Sequence, residues 1–375
     1  MLNDGEGTGV STYARTLCNC LSEAGAEALI LGDGDGHRPR ARALRWLAAT
    51  RRAPRLAAAA NAPDALMVPD LFREAQVFFN MHGRTLPVAF EEPPVVMHWT
   101  YPVPLHVVGA RNLYTIHDLI PLTHPELTAI PEQRHARILS AILRRADLLV
   151  TVTEAMRSEI VERLGVDPER VVSTWQAVDA PLQADPSLPT GIRTGRYFLF
   201  CGRVEQRKNL AAIAAAHALS GCALPLVIVG PRVPGEESLE EQLAAFPGVR
   251  RLAYLPRREL LGLMRRARAL LFPTLAEGFG LPIVEAMTLG CPVLTSDRGA
   301  TAEVAAGAAL LVDPARSDAI ADAIGRLERD DSLCARLRRE GFARARYFTP
   351  ERYSRRLRAL YARALALSDG MEKVG

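Results

Sequence analysis

Lysine is nearly missing from this 375-residue chain: only Lys208 and Lys373 stand among its 46 basic residues, and the rest are arginine. Those arginines are interleaved with 42 acids and leave a net charge of +4. Nucleic-acid ligands select cations massed in one patch, so the skew reflects genome base composition and no nucleic-acid partner is expected. Paired cysteine spacing is also missing. Cys18, Cys20, Cys201, Cys222, Cys291 and Cys334 form no CxxC and sit in apolar segments, as reduced, buried thiols do in a cytosolic protein, and no disulfide framework follows. The eight histidines include no HxH or HExxH, so no zinc is expected. No GxGxxG with an acid about 20 residues on is found, which argues against a nicotinamide-dependent oxidoreductase. The start, Met1-Leu-Asn-Asp-Gly-Glu6, is acidic and turn-like and lacks the basic-then-apolar order of a secretory leader. The longest uncharged run, Asn209 to Pro231, is divided by Ser220-Gly221 and Pro225 into an Ala-rich helix and the strand Leu226–Val229, so it reads as core and not as a membrane span.

What is present is globular in character, with 49% hydrophobic and 23% charged residues. At roughly 100–200 residues per domain, the length suggests two domains. The second half alternates short apolar runs (Tyr197–Cys201, Leu226–Val229, Arg251–Tyr254, Ala269–Phe272, Val293–Ser296, Ala309–Val312) with helical stretches (Asn209–Leu219, Glu236–Ala245, Arg258–Ala267, Pro282–Leu289, Ser317–Arg329). That rhythm predicts a parallel, doubly wound α/β sheet. The first half repeats the theme less regularly, with strands near Glu27–Leu31, Val77–Asn80, Val95–Trp99, Asn112–Ile116 and Leu148–Thr151 and helices at Gly9–Ala24, Glu132–Arg145 and Glu154–Leu164. Three prolines between Ala180 and Gly191 read as a linker. The division is therefore 1–181 for a first Rossmann-like domain, 182–194 for a linker, 195–348 for a second such domain, and 349–375 for an amphipathic helix. With Tyr353, Leu357, Leu360 and Tyr361 on one stripe, this helix is expected to pack back on the first domain.

Chemistry concentrates in Phe272-Pro-Thr-Leu-Ala-Glu277-Gly-Phe-Gly-Leu-Pro-Ile-Val-Glu285-Ala-Met-Thr-Leu-Gly290. A strand ends, a Gly-containing loop follows, Pro282 suits a first helical turn, and Gly290 suits its stop. The amides of Phe279, Gly280 and Leu281 and the helix dipole then face whatever lies beyond the strand ends, where a phosphate would be stabilised. Carboxylates repel phosphate, so Glu277 and Glu285 are the better partners for sugar hydroxyls. Arg203 and Lys208 follow another strand end and suit a diphosphate. His117-Asp118 closes a strand with side chains on opposite faces, leaving His117 as the candidate and Asp118 as a structural residue. His98 is a weaker candidate. Gly7-Thr8-Gly9 forms a candidate donor or acceptor loop opening the first helix, and Asp33-Gly-Asp35 reads as a turn, not a metal-binding DxD.

These segments resemble the retaining GT-B glycosyltransferases of glycosyltransferase family 4, whose Glu-x7-Glu motif matches Glu277 and Glu285. Phe200-Cys-Gly202-Arg203-Val-Glu-Gln-Arg-Lys208-Asn209, Pro292-Val-Leu-Thr-Ser-Asp297-Arg-Gly299, Ala308-Ala-Leu-Leu-Val-Asp313-Pro314, Gly7-Thr-Gly9-Val-Ser-Thr-Tyr13, Val96-Met-His98 and Tyr114-Thr-Ile-His117-Asp118-Leu are similar to the family's other motifs in order and spacing. The resemblance implies two Rossmann-like domains across a cleft and a hexose transferred with retention from a nucleoside-diphosphate sugar to a glycan or lipid-linked acceptor. It implies Arg203 and Lys208 on the diphosphate, Glu277 on the donor sugar, Glu285 on the ribose, His117 beside the sugar, and no metal or other cofactor. His117-Asp-Leu-Ile-Pro121 leans toward GDP-mannose and surface polysaccharide. A nucleotide-sugar-binding protein without turnover is the alternative. The expected location is the cytoplasm, at the inner face of the plasma membrane if the arginines from Arg336 to Arg363 meet anionic lipid; a solvated helix face is their simpler reading. Enzymes of this kind carry a buried strand before the Gly-rich loop, and Met1 to Glu6 hold too few apolar residues to form one, so the native chain is expected to begin about 8–12 residues earlier.

Overall fold

The structure is a computed structural model that describes residues 9–23, 26–33, 55–56, 65–68, 70–180, 188–252 and 254–367. In the first half, every described strand pairing is parallel. Ile30–Asp33 (β1) pairs with Ala65–Val68 (β3), and Arg55–Leu56 (β2), Leu86–Phe90 (β4) and Leu105–Val107 (β6) form a second group. Val96–Trp99 (β5), Arg111–Ile116 (β7), Leu148–Thr151 (β8) and Val171–Ser173 (β9) make a four-stranded sheet in the order β5-β7-β8-β9. Helices Gly9–Glu23 (α1), Leu71–His82 (α2), Ile120–Thr123 (α3), Glu132–Leu143 (α4) and Glu154–Leu164 (α5) accompany them.

The expected strand at Val77–Asn80 is wrong: those residues lie inside α2. Val77-Phe78-Phe79 has strand composition, but Leu71, Ala75, Phe78 and Phe79 are the buried positions, and that spacing of four, three and one is helical. Five strands, β2, β3, β4, β6 and β9, escaped the sequence reading: each is only two to five residues long, and β4 and β6 also contain Pro87 and His106.

The second half is a six-stranded parallel sheet in the order β12-β11-β10-β13-β14-β15, made by Phe198–Cys201 (β10), Leu226–Val229 (β11), Val249–Leu252 (β12), Ala269–Phe272 (β13), Val293–Ser296 (β14) and Leu310–Val312 (β15). Phe198–Cys201, Leu226–Val229, Ala269–Phe272 and Val293–Ser296 are buried at every position, as parallel strands covered on both faces must be. The edge strand β12 instead carries Arg250 and Arg251, and such charge discourages further strand pairing. The crossovers run through Leu210–Leu219 (α6), Glu237–Ala244 (α7), Arg257–Arg266 (α8), Leu281–Thr288 (α9) and Gly299–Ala305 (α10), followed by Ser317–Arg329 (α11) and Asp331–Ala345 (α12). The chain leaves β10 in one direction, reaches β12, and returns to β13 on β10's other side. That reversal opens a crevice at the carboxyl ends of β10 and β13, where ligands of such sheets bind.

Pro350–Ala366 (α13) returns to the first half, burying Tyr353, Leu357, Leu360 and Ala364. Ser354 Oγ donates to the Cys20 carbonyl of α1 at 3.3 Å, and Arg111 Nη2 donates to the Leu367 carbonyl at 2.5 Å. One hydrophobic core therefore runs from Tyr13, Leu17 and Val150 through the second sheet to Leu357 and Leu360. The described cysteines are all free thiols. Among the described residues, no helix is long and apolar enough to cross a membrane. Several arginines between Arg336 and Arg363 bond within the chain: Arg338 to the Gly290 carbonyl, Arg344 to Glu303 and Val304, and Arg356 to Thr174.

The halves are also tied by a carboxylate. Glu303 of α10 accepts the Glu154 and Ala155 amides that open α5, at 2.8 and 2.6 Å, and the Trp175 indole N–H at 2.7 Å. It thus caps a helix of the other half, where the dipole favours negative charge. Glu303→Ala strands these three donors and should lower unfolding free energy by about 1–3 kcal/mol in urea titration; an unchanged midpoint would show the cap to be solvent-replaceable.

Candidate active site

The loop after β10 leads into a short 3-10 turn, Gln206–Lys208, and the loop after β13 carries Glu277. Because β10 and β13 are neighbours, both loops open into the same crevice. Lys208 and Glu277 form a close ion pair, their side chains only 11% and 10% exposed. The Lys208 ammonium also lies 5.1 Å from the centre of the Phe272 ring. Arg207 reaches the same carboxylate oxygen, Nη1 to Oε1 at 3.2 Å. Burial pushes the Glu277 carboxyl up, but Lys208 and Arg207 together outweigh it and hold the group below the usual glutamate range. Arg203, in contrast, is exposed and has no hydrogen-bond or ion-pair partner among the described residues.

Gly280 caps α9 at φ 95°, in the left-handed region that glycine enters without strain. Among the described residues, no acceptor meets the amides of Phe279, Gly280 or Leu281. Phe279 itself is buried, edge-on to Phe348 at 5.5 Å. Further along α9, Glu285 is buried and accepts Arg257 Nη1 at 2.7 Å. Burial raises its carboxyl pKa and Arg257 offsets this only in part.

Across the crevice, Gly9 opens α1 with its Cβ position 3.7 Å from Leu281 Cδ1, so the N-termini of α1 and α9 face each other. Gly7 and Thr8 lie outside the described residues, as do the residues of the expected upstream strand and Gly34-Asp35 of the turn. His117, just beyond β7, donates Nε2–H to the Thr100 carbonyl at 2.9 Å, which leaves Nδ1 as an acceptor. Burial lowers its pKa, more than the Thr100 carbonyl and Asp118 restore, so the ring is neutral near pH 7. Tyr13 of α1 meets it edge-on at 4.8 Å. His98 is bonded on both ring nitrogens: Nδ1 to Tyr361 Oη of α13 at 2.7 Å and Nε2 to Thr115 Oγ1 of β7 at 2.8 Å, so its ring bridges α13 and the first half. Burial, with His117 nearby, pushes its pKa down to about 3.

Sequence reasoning passed over three residues that shape the site. Arg207 sat beside Lys208 without comment, and Arg257 was one arginine among many. Gly278 had a visible signal, as a glycine directly after Glu277. A Cβ there would lie 1.9 Å from the His117 carbonyl oxygen, so only glycine lets the two halves meet at this point. Among the described residues, no cluster of His, Cys, Asp and Glu is arranged to hold a metal ion.

Two parallel α/β halves facing across a cleft, with cations at the switch point of the second, define a GT-B glycosyltransferase. A family model of group 1 glycosyl transferases matches residues 190–344, and a glycosyltransferase family 4 model matches residues 7–180. The chain belongs to glycosyltransferase family 4, group 1, and is a hexosyltransferase by class. The O-antigen chain mannosyltransferase B of Escherichia coli is 32% identical over 256 residues, covering 64% of this chain and 67% of that one. The O-antigen chain mannosyltransferase RfbU of Salmonella typhimurium is 26% identical over 203 residues, covering 53% and 56%. Sucrose-phosphate synthase from Thermosynechococcus elongatus shares the fold with a TM-score of 0.68 at 18% identity, over 96% of this chain and 95% of that one. Anabaena HepE in complex with UDP and glucose gives 0.63 at 17% identity, over 89% and 99%.

Gly278→Ala should force the Glu277 loop away from His117. Displacement by about 1 Å can cost on the order of 10²-fold, so kcat/KM for nucleotide release should fall by that order while circular dichroism stays native. Activity within twofold of the parent would show that the halves need not touch there.

Proposed function

We propose that the chain transfers mannose from GDP-mannose, with retention of anomeric configuration, to a glycan or lipid-linked acceptor in surface-polysaccharide synthesis. The observation that carries the reading is the crevice between β10 and β13. It holds Arg203, a cation without a partner among the described residues, a second cation able to leave its carboxylate, Lys208, and amides at the start of α9 that no described acceptor meets. A diphosphate supplies the charge that these groups lack. Glu277 then faces hydroxyls of the donor sugar and Glu285 those of the ribose, each already held by an arginine that fixes its direction.

Transfer needs the bond to the diphosphate to weaken, and cations beside the departing oxygens stabilise the charge that develops. Glu277, paired with Lys208 and Arg207 and held below the usual glutamate range, is a poor general base, and the carboxylate of Glu285 is taken up by Arg257. In this reading the departing phosphate oxygen takes the acceptor's proton on the face it leaves, and the configuration is retained. His117, neutral and with Nδ1 as acceptor, suits a sugar hydroxyl. Two side-chain cations carry the diphosphate charge, so the reading calls for no metal or other cofactor. The preference for mannose draws on the likeness to the two O-antigen mannosyltransferases. In this reading the enzyme works in the cytoplasm, and contact with the inner membrane face is a property of its acceptor.

A thermal-shift panel of nucleotide sugars should show GDP-mannose giving the largest rise, following RT ln(1 + [L]/Kd). Lys208→Ala and Arg203→Ala should each lower kcat/KM by about 10²–10³-fold with the fold intact. Near-parental turnover in both would remove the diphosphate from this crevice; a larger shift with UDP-sugars would replace the donor.

A further inference from the structure

Glu277 is one carboxylate with two cations on the same oxygen, and the two cations are not equivalent. Lys208 ends a flexible stem, and among the described residues its ammonium has Glu277 as its ion-pair partner and lies over the Phe272 face. Arg207 is fixed on every side: Nη2 binds Glu205 at 2.5 Å, Nη1 donates to the Ala276 carbonyl at 3.1 Å, and its own carbonyl accepts the Leu275 amide at 3.0 Å. It therefore clasps the loop that carries Glu277 from both its backbone and its side chain. Lys208 and Arg207 meet this carboxylate directly, while Glu205, just before the turn, and Asp118, from the loop after β7, act on Arg207. The backbone of Gly278 lies against the His117 carbonyl, with its Cβ position 3.3 Å from Asp118 Cβ.

Resting on the function proposed above, we propose that Arg207 is a positioning residue that keeps Glu277 oriented and ionised when a diphosphate draws Lys208 away. A buried carboxylate stripped of its last cation would take up a proton or swing from its place. Arg207 cannot follow Lys208 to the ligand without breaking its bonds to Glu205 and Ala276, so it stays. The charge on Glu277 is then available to a sugar hydroxyl while Lys208 neutralises the phosphate. In the free enzyme Arg207 is the lesser partner; with the diphosphate bound it is the main one.

The test is a 13C carboxyl titration of Glu277 in the full chain, assigned by its loss in Glu277→Gln, with and without saturating inorganic pyrophosphate. A paired carboxylate has a depressed folded pKa, so its charged state persists on acidification until that pKa is crossed, and losing a cation moves the midpoint upward. In the parent protein pyrophosphate should raise the midpoint little. In Arg207→Gln, pyrophosphate should raise it by about one pH unit or more beyond the parent, as loss of an opposite charge does, and Arg207→Lys should bring it back toward the parent. A merely structural arginine would give midpoints that respond to pyrophosphate equally in parent and Arg207→Gln, and this result would overturn the inference alone. Calorimetry separates the two failures: if the parent and Lys208→Ala bind pyrophosphate equally weakly, the diphosphate site and the inference both fall.

Discussion

A carboxylate taken out of water costs several kcal/mol, and a single cation about 4 Å away returns roughly 4 kcal/mol at an effective dielectric of 20. One partner barely covers that cost. Glu277 has two, which is why the net effect on its carboxyl is downward despite burial. The second cation is what frees the first. Because Arg207 alone can keep the group charged, Lys208 can be offered to a ligand without leaving a bare ion in the interior. The whole crevice is organised around this surplus: strand order brings the two loops together, Arg207 ties them, and Gly278 lets them approach the opposite half.

That approach makes the two halves one working unit. The His117 carbonyl against Gly278, the Thr153 hydroxyl donating to the Gly278 carbonyl at 3.3 Å, and the Glu303 cap on α5 all cross the divide. Each contact joins the Glu277 loop or the neighbouring α10 to elements that also position His117. Beyond the cleft, the return of α13 onto α1 and the bond from Tyr361 to His98 hold the first half in register with the second. The same polar cluster includes Tyr13, which bonds Thr115 Oγ1 at 3.0 Å and packs against His117. Events at the C-terminal helix therefore reach the site through three hydrogen bonds and a ring contact.

Local signals in the sequence carried the second half well. Continuous apolar runs such as Leu226–Val229, alternating with helical stretches, fit central parallel strands, and Pro282 with Gly290 brackets α9 to within a residue or two. Lys208 stood out because lysine is so scarce. The first half was harder, because Val77-Phe78-Phe79 has strand composition on a helix and Pro87 and His106 disguise two strands. What sequence cannot display is contact between distant positions. His98 is a weaker candidate on sequence, and nothing near it announces that Tyr361, far along the chain, bonds its ring. Nothing near Arg257 announces Glu285, and nothing near Arg207 reveals that its side chain shares an oxygen with Lys208.

Those two lysines make the central claim directly measurable. Protein labelled with 15N-lysine carries only Lys208 and Lys373, so two side-chain ammonium signals are expected, and Lys208→Arg assigns them. Held by a buried carboxylate, the Lys208 ammonium should be protected from exchange and shifted from the Lys373 signal in the free enzyme. Saturating GDP should move the Lys208 signal and couple it to 31P, leaving Lys373 unchanged. A Lys208 signal that stays in place while calorimetry reports GDP bound would contradict the account, because the cation would then belong to Glu277 throughout and not to the leaving diphosphate.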